Sequence, residues 1–98
     1  MSYAQTLQEH ARLTILRMLE DAPSYTLNVL IMTQLMRSYG INYSRDQVTG
    51  EVHWLKEQGL VNVEDMKGFI VVEATARGVE VAQGIAQYPG VQRPRPGV

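Results

Sequence analysis

The stretch of sequence that decides the fold is residues 44–61, which read SRDQVTGEVHWLKEQGLV. Residues 44–47 form a capping box, because a serine hydroxyl there can accept from the backbone amide of a glutamine whose own side chain reaches back. Val48, Val52 and Leu55 follow at helical spacing and predict one inward-facing stripe. A glycine and an apolar, β-branched run close the stretch, so the sequence predicts a helix that leads directly into a strand.

Helical and strand periodicities outside this stretch complete the predicted fold. The predicted elements are a first helix over residues 3–20, a second over 26–39, a third from 44 to 59, strands over 60–65 and 69–74 joined by a turn at 66–68, and a last helix from residue 75. Thr26 is the expected N-cap of the second helix, which is apolar except for a stripe that includes Thr33. The last helix is expected to carry on one side Val79, Ala82, Ile85 and Ala86. The predicted fold class is α+β, in the order helix, helix, helix, hairpin, helix.

Composition divides the chain into one folded unit and a tail. A chain of 98 residues, 45% of them hydrophobic and 19% charged, is long enough for a single apolar core. Three of the four prolines lie after Tyr88, which predicts a domain over residues 1–87 and a flexible tail over 88–98. Residues 1–87 hold seven basic and ten acidic side chains, a net charge of −3, and the tail adds Arg93 and Arg95. The near-neutral chain is thus an acidic body with a basic arm.

Residue types that the sequence lacks argue against whole classes of function. There is no cysteine, hence no disulfide, no thiolate nucleophile and no thiolate metal site. His10 and His53 lie in different predicted helices with no third ligand at metal spacing, so no metal or other cofactor is expected. No serine is accompanied by a histidine and a carboxylate in a recognisable arrangement, so we expect no enzyme activity. The longest apolar stretch falls far short of the roughly 20 residues of a membrane span, and no secretory signal is visible, which predicts a cytoplasmic protein that does not enter the membrane.

Three pieces of the sequence resemble the winged helix-turn-helix family, above all its ArsR-like and MarR-like bacterial regulators. Residues 48–61 are similar to the family pattern V-S-x-x-L-x-x-L-x-x-x-G-L-V, which covers the recognition helix and the first strand of the wing. Residues 12–19 are similar to the pattern R-L-x-I-L-x-x-L of the first helix, and residues 72–78 resemble the L-T-x-x-G that follows the wing. The resemblance extends over residues 3–87. The chain also resembles small proteins of this winged-helix type in Mu-like prophages.

The resemblance implies a homodimeric transcriptional regulator that binds double-stranded DNA. Family dimers are two-fold and built largely from terminal helices, the third helix enters the major groove, and the hairpin acts as the wing. The side chains expected to contact DNA are Arg45, Gln47, Thr49, His53, Lys56 and, on the wing, Lys67. Of these, Arg45 suits a phosphate or a guanine and Gln47 suits an adenine. Arg93 and Arg95 are expected in an extended arm that can lie in a narrow minor groove.

Two features of the third helix favour other interpretations. Gly50 and Glu51 stand where ArsR-like proteins often place basic or histidine side chains, and a glutamate near DNA phosphates repels them. The exposed face can therefore be an ordinary solvated helix face, or the domain can be a winged-helix protein-interaction module that does not bind DNA. That module would use the wing or Trp54, which we expect to pack against the hairpin. The Arg93–Arg95 arm can equally be a solubilising terminus.

Overall fold

The structure, a computed structural model, describes residues 2–94. Its elements are the helices α1 (Tyr3–Asp21), α2 (Val29–Ser38), α3 (Arg45–Glu57) and α4 (Ala76–Gln83) and the strands β1 (Thr26–Asn28), β2 (Val61–Met66) and β3 (Phe69–Ala74). The strands form one antiparallel sheet in the order β1-β3-β2. The predicted α+β class is confirmed, with one strand more than predicted.

Helix α1 forms the centre of the core. The Ser2 side chain caps it by accepting from the Gln5 amide at 3.1 Å, and the helix ends before Pro23 as predicted. All but one of residues 11–19 are buried. Their side chains pack against α4, α2, α3 and β3, so this one long helix positions the shorter elements around it.

The prediction that Thr26 caps the second helix is wrong. Residues Thr26–Asn28 pair with β3 instead, and the Asn28 side chain caps α2 by accepting from the Ile31 amide at 2.8 Å. A three-residue strand is too short to show alternation, so the sequence displays only the helical period of the residues that follow it.

Helix α2 buries a different set of side chains from the predicted one. Thr33, which was expected on a polar stripe, is only 6% exposed. Its hydroxyl donates to the Val29 carbonyl at 2.8 Å, which satisfies the buried polar group. Three large apolar side chains on the other side of the helix stay 39–44% exposed, namely Leu30, Ile31 and Leu35. Helix α2 therefore keeps an apolar outer surface.

Helix α3 and the hairpin follow the prediction closely. Val48, Val52 and Leu55 have no exposed surface, and β3 has the predicted bounds, whereas β2 begins at Val61, one residue later than predicted. Residues 67 and 68 make the turn with φ angles of 53° and 88°. Positive φ at both positions is typical of the type I′ turn, one of the two favoured two-residue hairpin turns.

The predicted extent of the last helix is wrong. Helix α4 ends at Gln83 because Gly84 takes a φ of 81°. Ile85 and Ala86, which were expected on the apolar side of the helix, therefore lie beyond its end, and Ile85 is 71% exposed. The residues of α4 that are buried are Gly78, Val81 and Ala82.

The chain after α4 folds back over α1. Val91 is 8% exposed, and the backbone amide of Gln92 donates to the Glu9 carbonyl at 3.1 Å. We call residues 88–92 the C-terminal strap. The packed part of the chain thus continues past the boundary predicted at residue 87, because the strap carries apolar surface that it buries on the domain.

Candidate nucleic-acid interface

One flank of α3 carries the exposed cations of the candidate site. Arg45, Thr49 and Lys56 are separated by four and seven residues, which places them on the same side of the helix. The Thr49 hydroxyl donates to the Arg45 carbonyl at 2.8 Å. The Arg45 and Lys56 side chains are exposed and, within residues 2–94, make no hydrogen bond or ion pair. His53 is exposed beside them, so the helix presents two unpaired cations about 16 Å apart along its axis.

Gln47 has a structural task that competes with its predicted contact to adenine. Its side-chain oxygen accepts from the Ser44 amide at 2.8 Å, while the Ser44 hydroxyl accepts from the Gln47 amide at 3.2 Å. The predicted capping box is confirmed. A bidentate contact to adenine uses both the oxygen and the nitrogen of the carboxamide, so Gln47 cannot make it while it caps the helix.

Lys67 stands at the tip of the β2–β3 hairpin and is exposed. The Asp65 carboxylate beside it accepts from the Gly68 amide at 3.2 Å and so stabilises the turn. Met66 and Phe69 are paired across the two strands directly before and after the turn, and they are 51% and 53% exposed. The tip therefore combines one cation with two apolar side chains.

Glu51 does not lie on the exposed face of α3, so the expectation that it would face DNA phosphates is wrong. One of its carboxylate oxygens accepts from Nε of Arg12 at 2.8 Å, and the other accepts from Nε2 of the Gln8 side chain at 2.9 Å. Both donors belong to α1, and the Glu51 side chain is buried against them. Its charge is therefore paired inside the domain. Gly50, the other departure from the family pattern, is exposed with open space around it.

Trp54, which is predicted to pack against the hairpin, packs against α1 and the C-terminal strap. The Arg12 guanidinium lies 3.7 Å from the ring centroid, within the range of a cation–π interaction. Tyr88 meets the indole edge-on, with 6.1 Å between ring centroids and 83° between ring planes. Gly90 lies so close that a Cβ there would be 2.9 Å from the indole. Trp54 is half-buried, and the side chains and backbone that cover its ring belong to its own chain.

Tyr43, just before the cap of α3, borders the same buried ion pair. Burial raises the pKa of Tyr43, the Glu51 carboxylate raises it further, and Arg12 lowers it. A tyrosine phenol is already neutral at physiological pH with its ordinary pKa, and the upward direction of the pKa shift does not change that. The start of α3 therefore gains no negative charge from this residue.

Acidic side chains border the candidate interface. Asp46 and Glu57 are exposed on α3, and Glu64 is exposed on β2. They offset the field of the nearby cations, so any attraction to a phosphate backbone must come from a few local contacts.

The two arginines of the predicted minor-groove arm are placed only in part. Arg93 is exposed directly after the C-terminal strap, and Arg95 lies outside the described residues. Pro94 lies beside Gly84 at the end of α4. The arm, as predicted, would therefore begin at that end of the domain.

The described surface outside α3 and the hairpin has a cleft but no group of metal-ligating side chains. Within residues 2–94, no group of three His, Cys, Asp or Glu side chains can hold a metal ion, and no helix is long and apolar enough to cross a membrane. A surface cleft of about 440 Å³ is lined by His10, Thr14, Arg17, Asp21 and Tyr39. No buried side-chain nitrogen or oxygen of the described residues lacks a hydrogen-bond partner. This cleft therefore contains no buried, unsatisfied polar side-chain atom that would indicate a ligand.

Relatives of the chain are found in a bacteriophage and in a bacterium. The uncharacterized protein gp26 of Escherichia phage Mu is 49% identical over 90 residues, which cover 92% of this chain and 93% of the phage protein. The chain belongs to the phage Mu gp26 family. An uncharacterized protein of Haemophilus influenzae is 37% identical over 78 residues, which cover 79% of this chain and 76% of that protein. No protein-family profile and no solved structure matches the chain. Its kinship with gp26 is compatible with the resemblance to small proteins of Mu-like prophages.

In this member of the gp26 family, the important side chain that sequence reasoning missed is Arg12. It interrupts the apolar run of α1 between Ala11 and Leu13. An arginine in a buried run needs a buried partner of opposite charge. Glu51 is a candidate for that partner, because it adjoins the inward-facing Val52. The two signals together would have predicted the ion pair.

Proposed function

We propose that this protein is a dimeric winged-helix DNA-binding protein that acts as a transcriptional regulator, with α3 in the major groove and the β2–β3 hairpin as the wing. The observation that carries the proposal is the exposed flank of α3. Arg45 and Lys56 are unpaired there within residues 2–94, while Glu51 is turned inward. A helix held by one buried stripe against other helices can enter the major groove. The order of helices and hairpin is also the order that the resemblance implies.

The charge of the chain sets the kind of binding to expect. The formal net charge is −1, so long-range attraction to DNA is weak and non-specific affinity is low. Binding would depend on specific sites and on a small number of phosphate contacts. Its salt dependence would then report how many such contacts form.

Arg45→Ala and Lys56→Ala are each expected to weaken binding to duplex DNA severalfold and to reduce the slope of log affinity against log salt by about 1. The reason is that each substitution removes one candidate contact to the backbone. Fluorescence anisotropy with phage and bacterial promoter fragments, measured at several salt concentrations, gives both the affinity and the slope.

Arg37→Ala is the matched control for these variants. Arg37 is an exposed arginine in the last turn of α2, outside the proposed interface, and its loss should change neither quantity. Failure of the wild-type protein to bind any fragment at low salt would rule out the proposed function. Equal binding by the wild type and both α3 variants would rule out α3 as the DNA-binding element.

The proposed homodimer is expected to use the N-terminal end of α1 and the residues directly after α4. Tyr3 and Ile85 are 82% and 71% exposed, and the resemblance implies dimers of terminal helices. Sedimentation should give about twice the chain mass of 11.0 kDa. Ile85→Asp should give a monomer, because a two-fold axis brings two like charges together. Leu35→Asp, on the apolar surface of α2, should remain a dimer. A monomeric Leu35→Asp variant together with a dimeric Ile85→Asp variant would place the interface on α2. A monomeric wild-type protein would refute the dimer.

A second candidate function is a winged-helix protein-interaction module that does not bind DNA. The observation that favours it is the apolar hairpin tip, where Met66 and Phe69 are half exposed. Trp54, the other candidate contact of such a module, is occupied by Arg12 and Tyr88. Absence of DNA binding, combined with a protein partner that is lost in Phe69→Ser, would favour the module over the regulator.

A further inference from the structure

The C-terminal strap connects α1 to the C-terminal half of α3. At its start, the Tyr88 ring packs edge-on against Trp54, and the Tyr88 hydroxyl donates to the side-chain oxygen of Gln58, the residue that follows α3. At its end, the side-chain oxygen of Gln92 lies 2.8 Å from Nδ1 of His10 on α1. The strap therefore contacts both helices rather than one.

Arg12 joins the same three elements through a single guanidinium group. Nε donates to the Glu51 carboxylate of α3 at 2.8 Å, and Nη1 donates to the Gly90 carbonyl of the strap at 2.9 Å. Cζ of the group also lies over the Trp54 ring, 3.7 Å from the ring centroid. Arg12 is 9% exposed, so these contacts form where water competes little and each is correspondingly strong.

The buried stripe of α3 determines which side of the helix faces the core, but apolar packing alone tolerates small rotations of the helix about its axis. Val48, Val52 and Leu55 are held by apolar packing, which is non-directional. The contacts of Arg12 are directional, because a charge-assisted hydrogen bond and a cation–π contact each require a defined geometry. The strap supplies one of the hydrogen-bond acceptors of Arg12 and one wall of the Trp54 site.

We propose that the C-terminal strap is a positioning element for α3, which holds the orientation of that helix through Arg12 and Trp54. Release of the strap would leave Nη1 of Arg12 without its acceptor and uncover the indole. Helix α3 would then keep its buried stripe but lose its fixed rotation. The consequence for DNA affinity rests on the proposed function; the positioning of α3 does not.

The free full-length protein offers a direct test, because Trp54 is the only tryptophan. Val91→Asp places a carboxylate at a position that is 8% exposed and should detach the strap. We expect tryptophan emission at longer wavelength and about tenfold lower hydrogen-exchange protection of the α3 amides, with α4 unchanged. Gln87→Asp, which adds the same charge at an exposed position just before the strap, is the matched control and should behave as the wild type.

A second variant covers the case in which Val91→Asp does not fold. Gly90→Ala adds no charge, but its Cβ would lie 2.9 Å from the indole and 3.1 Å from Nη1 of Arg12, at a backbone φ of 92° that favours glycine. Detachment should appear as the same emission shift and the same loss of protection in α3. An emission shift without loss of protection in α3, or no shift in either variant, would overturn the proposal.

The DNA measurement separates this proposal from the proposed function. Gly90→Ala replaces none of the candidate DNA-contacting side chains of α3 and the wing, and it is expected to lower affinity about tenfold, since the contacts of α3 would no longer form together. A wild-type protein that does not bind DNA would refute the proposed function, while hydrogen exchange would still decide the role of the strap. Wild-type affinity in a Gly90→Ala protein whose α3 has lost protection would refute the link between the strap and DNA binding.

Discussion

Glu51→Ala is expected to lower the free energy of unfolding by about 3–5 kcal/mol, because it leaves the Arg12 guanidinium buried without its carboxylate. Arg12 and Glu51 are 9% and 8% exposed, and 2.8 Å separates Nε from Oε1. The Gln8 side chain loses its acceptor in the same substitution. Because a domain of this size is stable by only about 5–15 kcal/mol, the loss would remove a large part of its stability.

Urea unfolding of matched variants measures this loss. Glu57→Ala removes an exposed carboxylate from the same helix and should change stability by no more than about 0.5 kcal/mol. The double variant Arg12→Met, Glu51→Leu should recover most of the loss, since two apolar side chains replace two buried charges. A loss below about 1 kcal/mol for Glu51→Ala would mean that the pair behaves like an exposed one.

The elements with strong local signals could be predicted from the sequence. Helix α3 has a capping box at its start and a regular buried stripe, and the structure confirms both. Its exposed cations, Arg45 and Lys56, follow from the same stripe, because a helix that buries one side must expose the other. The hairpin was recognisable from the change to a period of two and from a turn that ends in glycine.

The features that sequence reasoning missed depend on partners far away along the chain. Glu51 adjoins the buried stripe of α3, and only Arg12, 39 residues earlier, decides that its charge is buried. Strand β1 exists because β3 pairs with it, and three residues carry no period of their own. The strap contains Gly90 and a proline, which are typical of a tail. It is nevertheless packed on the domain, because it contacts Trp54, which lies far away along the chain.

Gly78→Ala is expected to destabilise the domain by about 3 kcal/mol or more, because the new methyl group would overlap a backbone atom that cannot move away. The Cβ would overlap the carbonyl oxygen of Leu60, between α3 and β2. That carbonyl is held in place by the Thr75 amide, which donates to it at 3.1 Å. Thr75 is also the N-cap of α4 and accepts from the Gly78 amide at 3.1 Å. Relief of the overlap must therefore disturb the start of α4 or the end of α3.

The same substitution at another helical glycine supplies the control, and its expected effect has the opposite sign. Gly50 lies inside α3 with nothing within 4 Å of a Cβ, so Gly50→Ala should stabilise the domain by about 0.5–1 kcal/mol through helix propensity alone. Thermal or urea unfolding of the two variants beside the wild type measures both effects. Equal stabilities of Gly78→Ala and the wild type would show that Leu60 can move, and the close approach of α4 to the α3–β2 connection would then not constrain the fold.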